Sequence, residues 1–209
     1  MRDYDRIMKE ELITFQSDGL RIEGLIGRQS GGRGVVITHP HSLYGGTMYN
    51  QVVETLVRAY QDKGLTTLRF NFRGVGESQG RYGEGKGEKN DVISALRYLH
   101  DLDKSDVDLA GYSFGAWVNA HIATADFSVS DIIMVSPPVA FLDFSFLSPD
   151  QRIKAVVAGT RDEIAPPDQI SRFISTWNPE ALLKIIDGAD HFYSGRIDIL
   201  ESVLSRLIH

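Results

Sequence analysis

Gly111-Tyr112-Ser113-Phe114-Gly115 decides how this chain reads. It fits the pattern G-x-S-x-G and lies between a buried-strand stretch, Asp106-Val-Asp-Leu-Ala110, and a helix-forming stretch, Ala116-Trp-Val-Asn-Ala-His-Ile-Ala123. A serine so placed sits at the tip of a strained strand-to-helix turn, where bulky neighbours two positions away would collide with the adjoining backbone. Hence glycine at Gly111 and Gly115. The turn lifts the hydroxyl clear of the chain, aims a helix N-terminus at it, and leaves the Phe114 N–H to meet a developing oxyanion. The pentapeptide alone recurs by chance, but with strand before and helix after it makes Ser113 a candidate nucleophile.

Chain order tests that reading. After such a serine an acid is expected beyond a later strand, and a histidine beyond the last one. Ile153-Lys-Ala-Val-Val-Ala158 is a buried-strand run that leads into Gly159-Thr-Arg-Asp162-Glu163, and Ala181-Leu-Leu-Lys-Ile-Ile186 is the next, followed by Asp187-Gly-Ala-Asp-His191-Phe192. Asp162 is therefore the candidate acid and His191 the candidate base. Glu163 and Asp143 are the acid's rivals, and Asp190 reads as a cap for its own loop. A serine hydroxyl is a poor nucleophile at neutral pH, whereas a histidine, ordinarily of pKa about 6.5, can take its proton while a buried aspartate orients the ring.

With these segments stand His39-Pro40-His41-Ser-Leu-Tyr-Gly45-Gly46-Thr-Met and Arg69-Phe-Asn-Phe-Arg73-Gly74-Val-Gly76-Glu-Ser78. Together they resemble the α/β-hydrolases over nearly the whole chain, specifically the small bacterial members without an inserted cap domain, similar to carboxylesterases and dienelactone hydrolases. The resemblance implies an α/β fold of about eight mostly parallel strands with helices on both faces, as one domain over residues 1–209. It also implies a serine hydrolase acting on carboxylic esters, with no cofactor. Thioester or amide cleavage and acyl transfer would use the same machinery, since each passes through a tetrahedral oxyanion; a non-catalytic binding member is the reading from a different class. One departure is informative. Where many relatives have His-Gly, this chain has His39-Pro40, and proline has no N–H to give, so the resemblance puts the second oxyanion donor at the His41 amide beside that of Phe114.

Composition agrees. The 209 residues are 42% hydrophobic and 24% charged, an ordinary globular balance for a chain long enough to bury a substantial core. No apolar run approaches the roughly 18 residues needed to span a bilayer, and Met1 to Arg6 is charged without an apolar signal segment after it, so a cytoplasmic location is expected. With no cysteine there is no disulfide, thiolate metal site or cysteine nucleophile. A net charge of −6 argues against nucleic acid or an anionic membrane as partner, and the resemblance implies a small-molecule ester instead.

Strand and helix patterns alternate along the chain, and Ser17-Asp18-Gly19 between two strand patterns signals a hairpin, so the sheet should open with an antiparallel pair. Helical stripes, such as Val52, Val53, Leu56, Val57 and Tyr60, read as core. Only seventeen residues, Ser136 to Arg152, join Val135 to Ile153, too few for a cap domain. Phe141, Phe144 and Phe146 in that segment are candidate acyl-pocket residues or simply packing residues, and Tyr44, Tyr82 and Phe192 are candidate walls with the same alternative. Gly80-Arg-Tyr-Gly-Glu-Gly85-Lys86 matches half of a phosphate-binding loop, but Gly87 stands where serine or threonine should bind Mg²⁺; it reads instead as a mobile loop on the rim of the site. His39, His41, His121 and His191 lack metal-ligand spacing. His39 reads as a structural hydrogen-bonding residue of the oxyanion loop. Arg73 reads as a pin for neighbouring loop carbonyls or for Glu77, ahead of a substrate-carboxylate role.

Overall fold

The computed structural model describes residues 9–123 and 128–209; the charged segment Met1 to Arg6 lies outside the described residues. β1 (Glu11–Ser17) and β2 (Leu20–Gly27) form the expected antiparallel hairpin, with Ser17 paired to Leu20. Asp18 and Gly19 both have positive φ, 51° and 77°, which is what a two-residue turn matched to strand twist requires. β3 (Arg33–Thr38), β4 (Thr66–Phe70), β5 (Asp106–Tyr112), β6 (Ile132–Val135), β7 (Ile153–Gly159) and β8 (Leu182–Ile186) complete an eight-stranded sheet in the order β1-β2-β4-β3-β5-β6-β7-β8. β2 runs antiparallel to both neighbours, and every pair from β4 onward is parallel.

Among the described residues five α-helices cover the sheet: α1 (Gln51–Gln61), α2 (Lys86–His100), α3 (Phe114–Ala123), α4 (Pro167–Trp177) and α5 (Ile197–Leu207). The alternation of side chains along each strand splits the core into two layers. Val36, Leu68, Leu109, Met134 and Val156 share a cluster with residues of α2, α3 and α4. Val35, Ile37, Ala110, Ile133 and Val157 pack instead with α1 and α5. β3 and β6, buried on both faces, therefore carry continuous apolar runs, as strands of a parallel sheet do, whereas β5 is interrupted by Asp108.

This topology gathers the loops that matter. β5 lies mid-sheet, and the C-terminal ends of β3, β5, β6, β7 and β8 carry His39–His41, Ser113, Ser136, Asp162 and His191. The connection above them is short and carries no added domain, and Pro138 to Leu142 folds back on itself through bonds from Phe141 N and Leu142 N to Pro138 O. Among the described residues no helix is long and apolar enough to cross a membrane.

Candidate active site

β5 ends and α3 begins on either side of Ser113, whose φ of 55° places it in the left-handed region. That strain is held by the fold: Ser113 N donates to Val135 O at 2.9 Å, and Trp117 N donates to Ser113 O at 3.2 Å. The two glycines are sterically required. A Cβ on Gly111 would lie 2.7 Å from Ala116 N, and one on Gly115 would lie 2.5 Å from Thr38 Oγ1 and 2.7 Å from Thr38 O.

Ser113, Asp162 and His191 come together from three strand ends although 29 and 78 residues separate the pairs in sequence. His191 Nε2 lies 3.0 Å from Ser113 Oγ, and Nδ1 lies 2.9 and 3.0 Å from the two Asp162 oxygens. All three side chains are buried. Asp162 Oδ1 also accepts from Ile164 N at 3.0 Å and Ala165 N at 2.8 Å, so the carboxylate caps its own loop. Burial alone would raise the Asp162 pKa; the His191 ring, the Ser136 hydroxyl and the Ala165 amide outweigh it and hold the carboxyl below the usual range. With Asp162 ionised, the His191 proton belongs on Nδ1, which leaves Nε2 to accept from the serine. Glu163 is exposed and Asp143 is occupied by Ser145 N and Oγ, so neither competes. Asp190 caps its loop as expected, accepting from Phe192 N and Ser194 N.

The two amides expected of an oxyanion hole have no acceptor among the described residues. Phe114 opens α3, so its N–H has no acceptor one turn back. His41 N makes no hydrogen bond among the described residues, while its carbonyl accepts from Tyr44 N and Gly46 N, both at 3.0 Å. Buried His39 orients this loop. Phe72 N donates to His39 Nε2 at 3.0 Å, which leaves the ring's proton on Nδ1 to donate to Pro40 O at 2.6 Å. Burial lowers the His39 pKa to about 4, so the ring is neutral at pH 7. Pro40 O and His41 N belong to one trans peptide, so the ring also fixes the direction of the His41 amide.

The expected wall residues separate into two kinds. Tyr44, Phe141 and Phe192 are exposed; Tyr44 meets the His41 ring edge-on at 5.1 Å and Phe192 meets the His191 ring edge-on at 5.6 Å. Tyr82 is half-buried, with its hydroxyl 3.2 Å from His41 Nε2 and its ring 6.0 Å from that of Phe114. For Phe144 the packing alternative holds and the acyl-pocket role does not: it is fully buried and packed 5.2 Å from Trp177 in the core. Phe146 is half-buried and stacks on His121 at 3.7 Å.

Two further expectations change in detail. Arg73 does pin loops, but its partner is not Glu77. Its guanidinium binds Asp91 at 2.8 Å and Asp18 at 2.9 Å, tying the β1–β2 turn to α2, while Glu77 N donates to Glu23. The 80–86 loop is anchored: Glu88 accepts from Gly83 N and Gly85 N at 2.8 Å, and Trp117 packs under Gly85. A phosphate would need those amides, and the protein's own carboxylate fills them. Among the described residues no cluster of metal-ligating side chains occurs.

Sequence reading missed three residues around His191. Tyr112 Oη donates to His191 O at 2.8 Å, and Ser136 Oγ and Tyr193 Oη meet 2.8 Å apart beside Asp162. Tyr112 lies inside the elbow motif and Tyr193 is two residues past the base, but nothing in their spacing gives the direction of their hydroxyls.

The model of the alpha/beta hydrolase family matches residues 35–201. The chain belongs to that family. It is 34% identical over 193 residues to an uncharacterized protein of Rickettsia prowazekii (strain Madrid E), covering 87% of this chain and 81% of that one. Among solved structures it is similar to an alpha-beta serine hydrolase homologue from Coxiella burnetii, with a TM-score of 0.88 and 38% identity over 98% of this chain and 100% of the other. It is also similar to a Xanthomonas campestris protein described as a serine hydrolase without lid, with a TM-score of 0.86 and 28% identity over 95% and 93% of the two chains. The eight-stranded, lidless α/β-hydrolase architecture inferred from the sequence is thus the architecture of its relatives.

Proposed function

We propose that this protein hydrolyses carboxylic esters of small, short-acyl substrates through an acyl-enzyme. The observation that carries the proposal is the continuous hydrogen-bonded line from Ser113 Oγ to His191 Nε2 at 3.0 Å and from His191 Nδ1 to Asp162 at 2.9 Å. In this reaction Ser113 Oγ attacks the ester carbon as its proton passes to His191 Nε2, and the carbonyl oxygen becomes an oxyanion held by the His41 and Phe114 amides. Asp162 stabilises the imidazolium without taking its proton. Collapse of the tetrahedral intermediate breaks the bond to the alkoxy group, which leaves as alcohol with the proton from His191. Water, deprotonated by the same ring, then attacks the acyl-serine; the second intermediate releases the carboxylic acid and returns the proton to Ser113. The reaction as written draws on no cofactor.

The short-acyl preference follows from the chain above the site. A seventeen-residue connection offers little apolar surface to enclose a long acyl chain, whose burial would contribute about 0.8 kcal/mol per methylene. With Phe144 committed to the core, still less remains. kcat/KM for p-nitrophenyl acetate or butyrate should exceed that for the palmitate ester at least tenfold, roughly the effect of two unburied methylenes. Activity should not jump when substrate passes its solubility limit. A preference for chains of twelve or more carbons, or a jump at that limit, would overturn the short-acyl assignment.

A further inference from the structure

The two candidate oxyanion donors stand on unequal supports. The Phe114 N–H opens α3, a helix packed into the core, whereas the His41 N–H sits just before a single 3-10 turn, Ser42–Tyr44, from which Leu43, Tyr44 and Gly45 stand in solvent. Bonds inside this turn give it its shape: Leu43 N donates to His41 Nδ1 at 3.2 Å, and Tyr44 N and Gly46 N donate to His41 O. They do not hold the turn as a body against α3. Among the described residues, residues 41–45 make one hydrogen bond to another segment, in which His41 Nε2 lies 3.2 Å from Tyr82 Oη.

The ring's other nitrogen places the proton in that bond. A backbone N–H can only donate, so His41 Nδ1 carries a lone pair, the ring is neutral and its proton is on Nε2. Burial lowers the pKa of this ring, which favours the same neutral form. Nε2–H therefore donates to Tyr82 Oη. Tyr82 is itself firmly held. Buried Glu88 accepts from Gly83 N and Gly85 N at 2.8 Å, which ties the following residues to α2, and Gly74 comes so close that a Cβ on it would lie 3.2 Å from Tyr82 N. The rings complete the support: His41 stands 4.5 Å from Phe114 and 5.0 Å from Tyr82, and Tyr82 stands 6.0 Å from Phe114.

We propose that Tyr82 is a positioning residue for the oxyanion hole: by accepting from His41 Nε2–H and backing the His41 ring against Phe114, it clamps the exposed turn so that the His41 N–H keeps one direction while the carbonyl oxygen becomes an oxyanion. The inference rests on the esterase reading above, and it gives the 80–86 loop a part in the chemistry. Tyr82 acts through His41, and its hydroxyl takes up or gives no proton in the reaction. A donor already aimed where charge develops needs no reorientation in the transition state, so loosening it lowers kcat and leaves KM nearly alone.

The test is a cycle of wild type, Tyr82→Phe, His41→Asn and the double variant. Asparagine at 41 keeps the backbone N–H and an oxygen able to accept from Leu43 N, as in an Asx-turn, but is too short to reach Tyr82. On p-nitrophenyl acetate, Tyr82→Phe should lower kcat about fivefold to thirtyfold, less than the loss of about 10²–10³ from deleting an oxyanion donor outright, with KM changed less than about twofold. In the His41→Asn background the same change should alter kcat by less than about twofold, because the bond is already gone. A trifluoromethyl ketone, to whose carbonyl carbon Ser113 Oγ adds while its proton passes to His191 and the ketone oxygen becomes an oxyanion, should lose affinity in Tyr82→Phe by about the same factor as kcat. Backbone nitrogen-15 relaxation on the resting protein should show the order parameter of the His41 N–H falling from about 0.85 towards about 0.6 in Tyr82→Phe. A kcat within about twofold of wild type in Tyr82→Phe, an equal loss in both backgrounds, a ketone affinity that holds while kcat falls, or a His41 N–H as ordered as in wild type would overturn the clamp. The relaxation needs no substrate, so it decides the clamp even if the wild type turns over no ester and binds no ketone, an outcome that would overturn the esterase reading instead.

Discussion

Ser113, Asp162 and His191 are buried and each is held by several groups of the fold, whereas Tyr44, Phe141 and Phe192 on neighbouring loops stand mostly in solvent. The difference separates two kinds of requirement. Proton transfer between a hydroxyl, a ring and a carboxylate tolerates little displacement, so the inner groups are fixed by backbone strain, amide donors and strand ends. Contacts to a short acyl group need no such alignment, and the Tyr44 and Phe192 rings meet His41 and His191 edge-on. Chemistry should therefore be fragile in the inner set and substrate preference adjustable in the outer one.

The largest expected effect lies in the inner set. Asp162→Asn should lower kcat by a factor on the order of 10⁴, by analogy with other hydrogen-bonded triads, while Glu163→Gln next door should cost less than about tenfold. Steady-state kinetics on p-nitrophenyl butyrate measures both. Comparable losses in the two variants would erase the distinction between a held carboxylate and an exposed neighbour.

Phe144 sharpens the comparison because the sequence left it between an acyl pocket and packing, and the structure places it in the core. Phe144→Ala should destabilise the protein by about 3–5 kcal/mol, as a buried phenylalanine truncation does, while the folded fraction keeps near wild-type kcat. Urea unfolding and kinetics below the transition separate these outcomes. A stable variant with altered acyl-chain preference would return Phe144 to the rim.

His39 ties the inner set to pH. Its folded pKa of about 4 is lower than the ordinary value of 6.5, so between those limits the unfolded chain binds the extra proton and stability falls as pH falls. The loss is at most about 3 kcal/mol from pH 6.5 to 4. Asp108 acts oppositely: burial raises its pKa to about 7, so its contribution is lost as pH rises from about 4 to 7. The difference between wild type and His39→Asn isolates the histidine, since Asp108 is common to both. Urea midpoints at pH 7 and pH 4.5 should show a smaller acid loss in His39→Asn; parallel losses would mean that His39 is not kept neutral by burial. The smallest effects belong to the rim, where Phe141→Ala and Phe192→Ala should each change kcat/KM for p-nitrophenyl butyrate by less than about tenfold.

Sequence disclosed the inner set because its constraints are local. Gly111 and Gly115 flank the serine at the spacing of a strand-to-helix turn, and Asp162 and His191 follow strands whose apolar runs are plain. The Asp18-Gly19 turn was legible for the same reason, since positive φ at two successive residues has few solutions. What remained hidden depends on distant partners. Phe144 is core because Trp177, 33 residues on, closes over it. Arg73 turned to Asp91 and Asp18 instead of nearby Glu77 because α2 and the hairpin turn meet beside it. Ser136 and Tyr193 adopt a backbone conformation that their residue types disfavour, so local preference pointed away from the arrangement they make.

The central claim, that Ser113 is an activated nucleophile, is tested most directly by treating the folded protein with a serine-reactive fluorophosphonate and locating the adduct by peptide mass spectrometry. The account predicts stoichiometric phosphonylation of Ser113 in the wild type, none in Ser113→Ala, and labelling slowed by orders of magnitude in His191→Ala, each variant keeping the wild-type unfolding transition to within about 1 kcal/mol. A folded wild-type protein that takes no label, or one whose label falls on another residue and survives Ser113→Ala, would contradict it.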